Sequence, residues 1–157
     1  RIEADMVLSA VGVKPRIELA REAGIAVNRG VIADRFLRTS APNVYTLGDC
    51  AEVEGHVLFY VAPLMASVRA LGRTLSGDDA EVCYPAMPVT VKTPACPVVV
   101  APPPAGAEGA WETEDDGQNG VVARYLSPDQ RLLGFVLTGA ETQQKLALQR
   151  ELPALLD

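Results

Sequence analysis

The hydrophobic pattern of this chain changes period once, at Ser76-Gly77-Asp78-Asp79, and that change limits the folds open to it. Before this point, short apolar runs alternate with helix-like spacing. Val7, Leu8, Ala10 and Val11 form a near-continuous run, which predicts a strand covered on both faces and ended by Gly12. Pro15 opens a helix whose apolar face is Ile17, Leu19, Ala20 and Ala23, with Gly24 as a left-handed stop. Two short strands, 25–27 and 31–33, flank the turn Asn28-Arg29-Gly30, and Val44 to Leu47 reads as another, ending on Gly48 and Asp49. A helix follows from near Pro63, with Leu64, Val68 and Leu71 at i, i+4 and i+7 beside Met65 and Leu75.

After the change the period is two. Strands are expected over 87–92, 97–101, 110–114, 121–126 and 132–137, separated by proline and glycine turns. Thr138 and Glu141 have capping-box spacing for a last helix, which Leu148, Leu152, Leu155 and Leu156 line and Pro153 bends or ends. Glu108 to Asp116 carries five carboxylates and reads as a solvated hairpin, with Trp111 and Tyr125 in the sheet core. The expected organisation is an α/β part over residues 1–80, then a small α+β domain over 81–157 with an antiparallel sheet and a helix.

Composition excludes several functions. A net charge of −6 argues against nucleic acid, whose phosphates call for a basic face. No apolar run approaches the ~20 residues of a membrane span, and no signal peptide opens the chain, so a cytoplasmic protein is expected. Cys50, Cys83 and Cys96 lack a C-x-x-C pair and fit free thiols, and His56, the single histidine, cannot anchor a zinc site alone. No metal site and no acid–base catalytic residue stands out.

Gly48-Asp49 is the candidate site. In open α/β sheets ligands bind beyond the carboxyl ends of strands. Glycine there admits a close approach, and a carboxylate accepts hydrogen bonds from hydroxyls but repels bare phosphate. Read alone, the pair is better taken as an ordinary turn closing a strand, and Lys92 alone as a strand-end lysine facing water.

The surrounding residues add a resemblance. G-V-I-A-D-R-F-L-R-T-S-A-P-N-V-Y-T-L-G-D, Gly30 to Asp49, resembles the second flavin motif of the FAD-dependent pyridine-nucleotide oxidoreductases, whose closing aspartate binds the ribityl chain. S-A-V-G-V-K-P and L-A-R-E-A-G-I resemble the family's re-entry into a Rossmann-like FAD-binding domain, where Gly12 would lie along the cofactor. F-Y-V-A-P-L-M-A, P-V-T-V-K-T-P-A-C-P-V-V-V and K-L-A-L-Q-R-E-L-P-A-L-L are similar to bacterial rubredoxin–NAD reductases and unlike disulfide reductases.

The resemblance implies an NAD(P)H:rubredoxin oxidoreductase, of the kind that feeds alkane hydroxylation, with FAD as cofactor and rubredoxin as partner. It assigns Asp49, beside Gly48, to the ribityl group, the Val61 backbone to the flavin ring, and Lys92 to the isoalloxazine. The family's two G-x-G-x-x-G loops and its nicotinamide domain have no counterpart here. With Arg1 in place of methionine, this implies the C-terminal part of a longer reductase that binds NADH through another domain. Rubredoxins are acidic, so a local basic rim is expected, with Arg69, Arg73, Lys92 and Arg124 as contributors. Two alternatives remain at this stage: a flavin reductase for ferredoxin, a nitrite-reductase module or oxygen, and a non-catalytic binding or assembly module.

Overall fold

A computed structural model describes residues 2–115 and 117–157. The chain divides into two compact units, the first ending at Val82 and the second spanning Cys83–Asp157.

The first unit is built on a small parallel pair. Strand β1 (Val31–Ala33) pairs with β2 (Ala51–Val53), Val31 opposite Ala51. Parallel strands need a connection that crosses back, and here residues 34–50 supply it as a folded loop. Asp34 caps this loop, its carboxylate accepting the Phe36 and Arg38 amides at 2.9 Å each. Leu37 fills the loop's centre and is fully buried, at a positive φ of 65°. Helix α1 (Glu18–Glu22) lies before the pair, and α2 (Val61–Leu75) follows it. The unit's end is tied down: Val82 donates its amide to the Arg35 carbonyl at 2.7 Å, and Asp79 pairs with Arg38 at 2.8 Å.

Several expectations are corrected here. Residues 6–14 form no strand; Met6, Val7, Leu8 and Val11 are all more than four-fifths exposed, with no neighbouring strand to pair with among the described residues. Helix α1 has only five residues, though Gly24 does take the left-handed conformation at φ 74°. Val27 makes a single bridge to Val31 in place of a strand. Val44 to Leu47 is not a strand: Tyr45 makes one bridge to Arg38, and the strand proper begins after Asp49. Helix α2 turns its small residues inward. Pro63, Ser67, Ala70 and Thr74 are buried, whereas Met65, Val68 and Leu75 are exposed.

The second unit follows the period-two reading closely. Strands β3 (Val89–Val91), β4 (Val98–Ala101), β5 (Ala110–Asp115), β6 (Val121–Leu126) and β7 (Leu132–Thr138) form one antiparallel sheet in the order β3-β4-β7-β6-β5. Its core gathers Val99, Ala101, Val122, Leu132, Phe135 and Leu137, closed by Leu148 from helix α3 (Lys145–Glu151). Phe135 and Leu137 have no exposed surface. A 3-10 turn, Gly139–Gln144, joins β7 to α3.

The capping box does not form. The Thr138 hydroxyl instead accepts the Val121 amide at 2.8 Å, tying β7 to β6, and the last helix starts later than its spacing predicts. Helix α3 ends before Pro153, as expected, and Leu156 continues as a bridge to Tyr84. Trp111 is not core. Edge strand β5 is exposed throughout, and the indole, 46% exposed, packs edge-on against Tyr125 at 5.3 Å. Glu112, Glu114 and Asp115 on that edge form the solvated acidic face read from the sequence, with Asp116 outside the described residues; such charges guard an open sheet edge.

Candidate functional site

The turn Gly48–Ala51 is closed by the Ala51 amide donating to the Gly48 carbonyl at 3.0 Å, and Asp49 is exposed at its tip. Gly48 sits at φ 82°, a conformation that L side chains rarely adopt. The turn stands at the start of β2, not at the end of a strand, so the carboxylate projects from the entry to the parallel pair. A Cβ on Gly48 would lie 3.5 Å from Leu64 Cδ1. The turn and the first turn of α2 are therefore neighbours.

That helix start is open. Tyr60 is the N-cap residue, in extended conformation, and makes no side-chain capping bond. The first N–H groups of a helix lack intrahelical partners, and Val61, at 70% exposed, leaves the approach clear. The aligned peptide dipoles give this end a partial positive charge. Burial pushes the Tyr60 phenol pKa up. Gly48, with Asp49 next to it in the turn, thus lies beside Leu64 in the first turn of the helix that Val61 opens. Sequence reading did not single out Tyr60; its place just before a helix beginning V-A-P was the available signal.

Gly12 and Lys92 are the remaining candidates. Gly12, at φ 89°, lies in the exposed segment 6–14, and a Cβ there would meet nothing within 4 Å. Lys92 belongs to the second unit and is exposed directly after β3. Of the four cations expected on a basic rim, two are already committed: Arg73 pairs with Asp78 at 2.6 Å and Arg124 with Glu114 at 2.7 Å. Among the described residues no group of three potential metal ligands gathers, and no helix is long and apolar enough to cross a membrane.

A second feature escaped sequence reading. Glu52 is buried in β2, accepting the Asn28 side-chain amide at 2.9 Å and the Gly30 backbone amide at 2.8 Å. Burial alone would raise its pKa, but these bonds and nearby Arg29 together hold it below the usual value. Gly30 is required at this contact, because a Cβ would come within 2.8 Å of the Cys50 carbonyl oxygen. The lock fixes β2 three residues after Asp49.

Comparison with known proteins matches these two halves separately. Residues 1–69 match the family model of pyridine nucleotide-disulphide oxidoreductases, and residues 81–152 match that of the rubredoxin binding C-terminal domain. A rubredoxin-NAD(+) reductase of Alcanivorax borkumensis is 58% identical over 156 residues, 99% of this chain and 41% of the relative. One from Acinetobacter baylyi is 46% identical over 154 residues, 98% of this chain and 39% of the relative. The chain thus spans about two-fifths of the length of these relatives. The crystal structure of an NADH:rubredoxin oxidoreductase from Clostridium acetobutylicum shares the fold, with a TM-score of 0.74 at 19% identity over 90% of this chain and 37% of that one. The fold is thus α/β, a Rossmann-like portion followed by a small α+β domain. The chain is thus similar along its length to the rubredoxin-NAD(+) reductases, its first part to pyridine nucleotide-disulphide oxidoreductases and its second to a rubredoxin binding C-terminal domain.

Proposed function

We propose that this chain supplies the C-terminal share of an FAD-dependent NAD(P)H:rubredoxin oxidoreductase acting in the cytoplasm. In this reading residues 1–80 complete an FAD-binding domain and residues 81–157 form the domain that receives rubredoxin. The observation that carries it is the exposed Asp49 turn beside an uncapped, accessible helix N-terminus, in a chain whose two units match a flavoprotein reductase and a rubredoxin binding domain in succession.

The residues present fit FAD. Asp49 accepts hydrogen bonds from ribityl hydroxyls, and Gly48 leaves room for the chain they hang from. The α2 N-terminus at Val61 lowers the energy of negative charge on the flavin ring, as oriented amide dipoles do for anions. Lys92 brings a cation to the same charge from the second unit, and Gly12 lies along the cofactor. FAD, when bound, supplies hydride acceptance from NADH and release of single electrons. The exposed Asp49 and Val61 leave the protein's role as binding, orientation and electrostatics, with no acid–base residue required.

The test uses a polypeptide spanning the relatives' full length. Asp49→Ala is expected to weaken FAD retention, and Lys92→Ala to lower the flavin's reduction potential while FAD still binds. Unchanged FAD affinity in Asp49→Ala removes the ribityl assignment, and an unchanged potential in Lys92→Ala removes the cation's role.

A further inference from the structure

The five-stranded sheet of the second unit has two apolar faces, and its α-helix closes one of them. On the inner face Val99, Phe135 and Leu137 meet Leu148 of α3. On the outer face Val89 and Val91 of β3 stand across from Val100 and Val98 of β4, and Val100 across from Val136 of β7. The face runs on through Ala123 to Tyr125 of β6, which pairs with Trp111 of β5. An antiparallel sheet that shows one face to water alternates apolar with polar residues. Strand β3 reverses that order. Val89 and Val91 stand outward, 46% and 43% exposed, whereas Thr90, opposite buried Val99, accepts the Lys145 ammonium of α3 at 3.0 Å. Strand β4 is apolar at every position, the pattern of a strand covered on both sides.

Charge and area decide what covers the outer face. Among the described residues, Asp115 at the end of edge strand β5 is the one charge at these outward strand positions. A surface that binds and releases a charged protein carries complementary charges that speed the encounter. An apolar face without them suits a permanent contact, as in obligate interfaces. Strands ~4.8 Å apart, rising ~3.4 Å per residue, make this face about 300–400 Å². That falls short of the ~800 Å² that each partner buries in a stable complex of separate chains. A smaller contact suffices for a tethered cover, because the tether holds its effective concentration at about millimolar. The chain spans about two-fifths of its relatives' length, so the tethered cover is the rest of such a polypeptide.

We propose that the outer face of this sheet is a permanent contact for the part of the longer polypeptide that lies outside residues 1–157, with Val136 at its centre and Val89, Val91 and Trp111 toward its edges. The proposal rests on this chain being the C-terminal share of a longer reductase, and adds which surface of that share holds the rest. The test is hydroxyl-radical footprinting of a polypeptide of the relatives' full length, with each residue's oxidation rate scaled to the same polypeptide unfolded in urea. No substitution is needed, so the fold is left intact. A face open to water gives about half the unfolded rate at Val89, Val91 and Trp111, in line with their exposure here. The expected result is about a tenth or less at all three, the rate of fully buried side chains, in a sample that sediments as a monomer. About half the unfolded rate overturns the proposal. Protection that fades on dilution together with a self-associated species assigns the face to a second copy and overturns it too, and so does protection that arises only when rubredoxin is added. The FAD content of the same sample separates the two readings. Protection without FAD supports the covered face and overturns the flavoprotein reading, whereas bound FAD without protection overturns the covered face alone.

Discussion

Replacing Glu52 with alanine should loosen the base on which the Asp49 turn is built. The carboxylate is buried and accepts two bonds, from the Asn28 side chain at 2.9 Å and the Gly30 amide at 2.8 Å. Removing it strands a buried backbone donor and a part-buried amide. At about 1–3 kcal/mol for a buried donor left unpaired, and less for the part-buried one, the loss is about 2–4 kcal/mol. Hydrogen exchange at the amides of β1 and β2 measures it, because these strands open with the first unit. The pH dependence gives a separate check. The folded pKa of Glu52 lies below the ordinary glutamate value of 4.5, so its carboxylate binds protons less readily in the folded state. The stabilisation is therefore fully present above 4.5 and disappears as pH falls through the folded value. Carbon-13 titration of the Glu52 carboxyl should give a midpoint below 4.5, and the gap between wild type and Glu52→Ala should narrow in acid. A midpoint above 4.5, or an equal gap at neutral and acid pH, would show that burial outweighs the hydrogen bonds and refute the reasoning.

Other substitutions test the packing around both units. Gly30→Ala forces a Cβ to within 2.8 Å of the Cys50 carbonyl and should destabilise the first unit by about 1–3 kcal/mol, read as a lower urea midpoint. Phe135→Ala empties the centre of the second unit's core and should cost about 3–5 kcal/mol in the unfolding transition reported by Trp111 fluorescence. Thr138→Val removes the acceptor of the Val121 amide and should cost about 1 kcal/mol, with faster exchange at that amide; an unchanged exchange rate would return Thr138 to the role of helix cap.

The second unit was legible because its signals are local. Strand β6 lies where period two and its flanking turns put it, and β4, β5 and β7 differ by a residue at one end. Three of its four pairings join strands adjacent in sequence, so alternation and turn residues nearly determine them, whereas the β4–β7 pairing reaches past β5 and β6 and had no local signal. The first unit was less legible because its pairings are not local. Strand β2 is three residues long, pairs in parallel with β1 across a 17-residue loop, and follows the apolar run that had seemed the better strand. Helix α2 misled in another way: its hydrophobic stripe is real, but the buried stripe is Pro63, Ser67, Ala70 and Thr74, whose small size the pattern of apolar residues underweights. At the site, a two-residue turn signal gave the place of Gly48 and Asp49. The Glu52 lock was hidden because a glutamate in a three-residue strand carries no mark of burial, and its partners lie 22 and 24 residues away.

The most direct measurement is rubredoxin reduction by NADH in a protein of the relatives' full length, followed by bleaching of the oxidised rubredoxin chromophore. The account predicts stoichiometric FAD and NADH-driven bleaching that disappears when FAD is removed. A protein that binds FAD and is reduced by NADH but leaves rubredoxin oxidised would contradict it.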